Sequence, residues 1–315
     1  AMGTETVREG AAIETVGLVR SFGDVVAVDG IDLDVADGEL FSLLGPNGAG
    51  KTTTLRMLSC LLRPTEGTAR ILGHDIGEDP LAVKRVIAIS PQETAIAEHL
   101  NAWENLALMA GVHGLDAEAT TRRSGELIET MALADRGRER AKHYSGGMKR
   151  RLSIAMALIT EPKVLFLDEP TIGLDPQARR GRWEYIAGLK GSVTIVLTTH
   201  YLEEADALAD RIAIIDAGKV IALGTPGALK ASSPVRRATI VEAPGLSDDA
   251  IAALCEQFPN VSHVDGVIEI DADDVDLFEV IDCLRPFDVR LDGIYRRRVT
   301  LDDVFLELTG TQLRR

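Results

Sequence analysis

One stretch constrains this chain more than any other: Gly45-Pro46-Asn47-Gly48-Ala49-Gly50-Lys51-Thr52. Its spacing is G-x-x-x-x-G-K-[ST], the pattern of a phosphate-binding loop. Leu40-Phe41-Ser42-Leu43-Leu44 runs into it and reads as a buried parallel strand. Thr52-Thr53-Thr54-Leu55-Arg56-Met57-Leu58 leads out of it as a helix. Strand, loop and helix in that order form the context the pattern requires. The glycines let backbone N–H groups turn inward around an anion, and the helix start adds partial positive charge. In such a loop Lys51 reaches the outer phosphates of a nucleotide and the Thr52 hydroxyl ligates Mg²⁺.

At 315 residues the chain has room for one large or two moderate domains. The net charge of −15 disfavours nucleic acid, whose binding rests on Lys and Arg at phosphates. It also disfavours direct adhesion to anionic lipid. Cys60, Cys255 and Cys283 are far apart with no C-x-x-C pair, and read as small core residues in a reducing compartment. No apolar run approaches the ~18–20 residues that span a bilayer, so action at a membrane needs another chain. The Ala1-Met2-Gly3 start reads as a cloning remnant, and no signal peptide is visible.

In chain order, Ile13 to Phe22, Val25 to Val28 and Ile31 to Val35 predict a small antiparallel sheet, joined later by Gly67–Gly73. Phe22 is open between a core position and an aromatic stacked on a base. Val86–Ile89 predicts a short strand, with Gln92 just after it. Residues 93–160 read as a mostly helical insertion, in which Asn101 and Glu104 form a capping pair. Its last helix runs from Lys149 to Thr160, behind Tyr144-Ser145-Gly146-Gly147-Met148.

Val164-Leu165-Phe166-Leu167 is a continuous apolar run ending in Asp168-Glu169-Pro170. Two carboxylates at the end of a buried strand are costly without a cation or proton donor. A phosphate-loop ATPase uses one carboxylate at a strand end for Mg²⁺, and Asp168 fits. Glu169 is then placed to orient or deprotonate the attacking water. Asp175-Pro176 starts a helix, with Asp at the N-cap. Val193–Thr198 is another buried strand, ending at Thr199-His200; a strand-end histidine is either structural or a ligand contact. Arg211 to Asp216 and Lys219 to Leu223 form a hairpin. Ser232-Ser233-Pro234 reads as a linker, after which the predicted order is β-α-β-β-α-β, that of a ferredoxin-like unit, closed by a helix from Leu301 to Leu308.

These motifs resemble, in order, the nucleotide-binding subunit of an ATP-binding cassette (ABC) transporter over about residues 13–230. The resemblance implies a phosphate-loop ATPase fold, α/β with a mixed sheet core and antiparallel β and helical subdomains. The ATP-binding domain spans 13–231, with the helical part at 93–160. A small α+β, ferredoxin-like domain spans 235–315. Gln92 matches the family's glutamine loop, which touches Mg²⁺ and couples to the membrane subunit. Ser145, Gly146 and Gly147 match the signature motif, Asp175 the aspartate loop and His200 the switch histidine. Phe22 falls where an aromatic meets adenine. Tyr144 and Met148 depart from the commoner Leu and Gln, while Ser145-Gly146-Gly147 retains the anion-binding groups. Tyr-Ser-Gly-Gly-Met, Thr199–Ala205 and Leu301–Gly310 resemble the drug-export branch of the daunorubicin-resistance type.

The implied mechanism uses two copies of the chain, with ATP on the phosphate loop of one and the signature of the other closing over the γ-phosphate. Glu169, His200 and Lys51 are the implied catalytic set. Nucleotide contacts are implied for Phe22, Gly45 to Thr53, Gln92, Ser145, Gly146, Gly147 and Asp175. The implied metal set is Thr52, Gln92 and Asp168. Implied partners are ATP, Mg²⁺, a second copy and a separate membrane permease, without nucleic acid. The expected location is the cytoplasmic face of the cell membrane. Two other readings stay open: a soluble ABC ATPase acting on nucleic acid or ribosomes, and an importer ATPase with a regulatory tail.

Overall fold

A computed structural model describes residues 11–172, 176–233, 238–264, 266–272, 275–287 and 289–310. The chain divides into two compact units, Ala1–Pro226 (with Leu313–Arg315) and Gly227–Gln312.

The first unit opens with β1 (Ala11–Phe22), β2 (Val25–Ala36) and β3 (Leu40–Leu44), then α1 (Lys51–Leu58). β4 (Glu66–Ile71), β5 (His74–Asp75), α2 (Pro80–Val86) and β6 (Ile87–Ser90) follow. Three helices come next: α3 (Ala102–Val112), α4 (Ala117–Thr130) and α5 (Gly146–Leu158). The unit continues through β7 (Val164–Asp168), α6 (Pro176–Gly188), β8 (Thr194–Thr199), α7 (Leu202–Leu208), β9 (Arg211–Asp216) and β10 (Lys219–Gly224).

The central sheet runs in the order β10-β9-β3-β8-β7-β6. Its five strands from β9 to β6 are parallel, and β10 pairs antiparallel at one edge. β3 and β7 are buried at every residue, and so is β8. That is the burial expected of strands covered on both faces, and it explains their unbroken apolar runs. Because these strands are parallel, the residues after Leu44, Ser90, Asp168 and Thr199 emerge at one edge of the sheet. A second sheet, β2-β1-β4-β5, is antiparallel throughout. One apolar cluster joins it to the central sheet through Leu18, Ile31, Phe41, Met57, Phe166 and Ala213.

Several boundaries differ from the sequence reading. Val86 ends a helix, and the strand starts at Ile87. Asp79 caps that helix through Ala82 N–H, with Pro80 at its first position, a signal the apolar residues around it masked. α5 starts three residues earlier than Lys149, because the Ser145 hydroxyl accepts the Met148 N–H and caps it. The capping box at Asn101 and Glu104 is present at the start of α3. The three cysteines are free, but Cys255 is exposed, so it is not a core residue; Cys60 and Cys283 are half-buried. A cysteine's type alone does not say which face of an amphipathic helix it occupies.

The second unit holds α8 (Pro226–Ser232, all but its first residue), β11 (Ala238–Glu242), α9 (Asp248–Gln257), β12 (Val261–Val264) and β13 (Val267–Asp271), followed by α10 (Leu277–Leu284), β14 (Gly293–Arg297) and α11 (Leu301–Thr309). Its sheet order is β12-β13-β11-β14, antiparallel at every pairing, the order of a split β-α-β repeat. Val241, Leu254, Ile268, Ile270, Val280 and Leu284 form its own core.

Candidate active site

The loop after β3 is tied down before it meets any ligand. Gly45 N–H donates to Thr199 O at 3.3 Å, and Gly218 N–H donates to Ala49 O at 3.0 Å. Two of its glycines are required by close approach. A Cβ on Gly45 would sit 2.1 Å from Ile215 O. One on Gly50 would sit 2.4 Å from Ala27 O, and Gly50 also holds φ at +103°. Gly50 caps α1 without any side-chain bond, so the first N–H groups of the helix stay available to an anion. Asn47 and Gly48 are exposed, whereas Ala49, Gly50 and Lys51 are buried.

Lys51 Nζ donates to Gly45 O at 2.7 Å and Pro46 O at 3.1 Å, and lies 3.5 Å from Glu169 Oε1. Burial lowers the pKa of its ammonium, against the pull of Glu169 and Asp168, which raises it. Thr52 Oγ1 donates to Asp168 Oδ1 at 3.0 Å, and Thr198 Oγ1 donates to the same oxygen at 2.6 Å. Glu169 N–H donates to the Thr198 carbonyl and hydroxyl at 3.1 and 3.0 Å, and Glu169 holds φ at +46°. Its other carboxylate oxygen accepts His200 Nδ1 at 2.7 Å. A carboxylate accepts only, so this contact places a proton on Nδ1.

The strand ends therefore bring Lys51, Thr52, Asp168, Glu169 and His200 into one connected cluster. Two hard oxygen donors, Thr52 and Asp168, with a lysine beside them, suit Mg²⁺ on nucleotide phosphates, which takes few protein ligands. Among the described residues no group of three or more His, Cys, Asp or Glu could hold a metal. Gln92 is exposed after β6, and its carbonyl accepts Arg150 Nη1 at 3.2 Å. Phe22 is 47% exposed at the end of β1, with the Arg20 guanidinium 4.4 Å from its ring centroid. Ser145 and Gly146 are exposed at the start of α5. Asp175 lies outside the described residues.

Three residues that sequence reasoning passed over belong to this region. Thr198 bonds the Asp168 carboxylate and the Glu169 backbone N–H; a threonine near the end of an apolar strand was its visible signal. Arg150 is buried on α5, where a basic side chain departs from an apolar helix face. Glu204 is fully buried on α7, accepts Trp183 Nε1 at 3.3 Å, and has its carboxyl pKa raised by burial.

The family model for the ABC transporter matches residues 28–172. The daunorubicin resistance ATP-binding protein DrrA3 of Streptomyces coeruleorubidus is 44% identical over 307 residues, 96% of this chain and 97% of that one. The chain belongs to the ABC transporter ATP-binding family. A Nod factor export ATP-binding protein of Paraburkholderia xenovorans is 40% identical, over 96% of this chain and 98% of its own. Among solved structures, an ATP-binding subunit of an ABC transporter aligns with a TM-score of 0.63 at 31% identity, covering 70% of this chain and 92% of that one. A dimeric cassette, MJ0796, bound to ADP and phosphate, aligns at a TM-score of 0.61 and 26% identity, covering 68% and 98%. The cassette is an ATPase, and its site is a nucleotide site. Readings as an ATPase acting on nucleic acid, or as an importer ATPase, are not favoured by these relatives.

Proposed function

We propose that this cassette powers an exporter of drug, antibiotic or lipid-like molecules from the cytoplasmic face of a membrane, in partnership with separate permease chains. The contact that carries the reading is Glu169, held by His200 at 2.7 Å and beside Lys51 at 3.5 Å. Glu169 orients and deprotonates the attacking water, and His200 holds Glu169 and the γ-phosphate in register. Lys51 and the loop N–H groups bind the outer phosphates, and Phe22 stacks on adenine. Mg²⁺, when bound, offsets phosphate charge; Thr52 and Asp168 hold it, with Gln92 at its edge. Ser145, Gly146 and Gly147 at the start of α5 serve the ATP of a second copy, so ATP joins two copies and hydrolysis releases them. Asp175 serves communication across that interface. Relatives named for drug resistance and Nod factor export support the direction of transport.

A groove of about 390 Å³, lined by Ile87, Ile89, Pro91, Met109, Met156 and Ala157, lies between β6 and the helices α3 and α5. It suits an apolar segment of the permease. Among the described residues no helix is long and apolar enough to cross a membrane.

The test is Glu169→Gln. This variant keeps its affinity for a fluorescent ATP analogue, loses about 10²–10⁴-fold in phosphate release, and elutes as a dimer when ATP is present. Hydrolysis near the wild-type rate removes Glu169 from its role. In parallel, a tagged chain recovered from detergent-solubilised membranes brings a multi-helix membrane protein with it. Recovery with ribosomal proteins instead overturns the exporter reading.

A further inference from the structure

α5 carries the signature turn at its start and lines the apolar groove with Ser153, Met156 and Ala157. Between them Arg150 points inward, 5% exposed. Among the described residues its guanidinium makes no direct ion pair. It donates instead to four backbone carbonyls on two loops. Nη1 donates to Pro91 O, and to Gln92 O at 3.2 Å. Nη2 donates to Asp168 O at 2.6 Å, and Nε donates to Pro170 O at 3.3 Å. These carbonyls flank Gln92 on one side and Glu169 on the other. Carbonyls only accept, so the two loops cannot bond each other through these groups; a donor with several N–H groups in a fixed fork is needed between them. A second link runs beside it, where Ser153 Oγ and Ser90 Oγ lie 3.1 Å apart on α5 and β6.

We propose that Arg150 is a positioning residue that couples the apolar groove to the hydrolysis site, by holding the Pro91–Gln92 and Asp168–Pro170 turns on one guanidinium. A partner that shifts the groove shifts Pro91 and α5 together. Arg150 passes that shift to the backbone on both sides of Glu169. In the other direction, nucleotide at Asp168 and Glu169 reshapes the groove. This rests on reading Glu169 as the group that acts on water and the groove as the permease contact.

Burial pulls the Arg150 pKa down to about 10, and the neighbouring Asp168, Glu204 and Glu169 charges oppose that; the side chain remains a cation at neutral pH.

The experiment is hydrogen–deuterium exchange on the full chain, with and without a non-hydrolysable ATP analogue, alongside steady-state kinetics. In the wild type the analogue slows exchange in both 91–96 and 168–172. In Arg150→Met the slowing at 168–172 remains and that at 91–96 disappears. Its kcat falls by at least about tenfold with KM within about threefold, the split of a lost transition-state geometry rather than lost binding. Arg150→Lys, which keeps the charge without the fork, behaves as Arg150→Met does, and it carries the same test if the methionine variant does not fold. The proposal is overturned if either variant keeps both responses, if lysine restores kcat in full, or if the wild-type 91–96 segment ignores the nucleotide. Full activity in Glu169→Gln instead overturns the reading beneath it and is measured separately.

Discussion

Glu169 answers to three neighbours at once. Its N–H is fixed by Thr198, one carboxylate oxygen faces Lys51 and the other accepts from His200. Its left-handed backbone, at φ +46°, is a conformation that a glutamate adopts at a cost, and such positions cluster at functional sites. Removing the His200 ring leaves one oxygen without its donor, so His200→Ala lowers kcat at least tenfold while ATP affinity holds, read by phosphate release against analogue binding. Glu204 makes a pH prediction. Burial raises its carboxyl pKa, so between the ordinary carboxylate value and the raised one the folded chain keeps a proton that the unfolded chain has released. Stability from the neutral form is complete below the ordinary carboxylate pKa of about 4.3 and is lost as pH rises toward the folded value. Glu204→Gln keeps a neutral group there. Its melting temperature matches the wild type near pH 4 and exceeds it by about 2–4 °C per kcal/mol toward pH 7. Lys51, Thr52, Asp168, Glu169 and His200 were legible in the sequence because each sits at a motif or a strand end. Thr198, Arg150 and Glu204 were not, because their partners are backbone carbonyls and side chains distant in the chain. Only folding brings those together.

The long apolar runs identified β3, β7 and β8, since a strand buried on both faces has no polar alternation to confuse it. The short elements escaped for the opposite reason: α2 and α7 have 7 residues each, fewer than two helical turns, too few for a period to show. The site depends on the central strands staying rigid. Phe166 is fully buried in β7, two residues before Asp168, and Phe166→Ala costs about 3–5 kcal/mol, measured by chemical denaturation. Ser42 predicts the other sign. It is fully buried in β3 and its hydroxyl has no hydrogen-bond partner among the described residues. Ser42→Ala is neutral or stabilising by up to about 1 kcal/mol in the same assay, because the lost group made no bond to lose.

The two units have separate cores, and solved cassettes that align over about 70% of this chain are themselves covered over more than 90% of their length. A chain cut after residue 230 therefore folds cooperatively and hydrolyses ATP, checked by a single thermal transition and phosphate release. Failure of that fragment to fold makes the tail part of the cassette's stability. The net charge of −15 gives a further outcome at this scale: binding to random duplex DNA at physiological salt stays undetectable by fluorescence anisotropy.

Cys255 on α9 is exposed, while burial raises the thiol pKa of both Cys60 and Cys283. A thiolate is the species that attacks a maleimide, so a limiting dose of reagent at neutral pH attaches to Cys255 first. The sequence thus supplies a preferred dye position on the second unit, where Cys283 is the slower, half-buried competitor. Paired with a nucleotide-borne dye on the first, it lets energy transfer report whether the distance between the two dyes changes when ATP is hydrolysed.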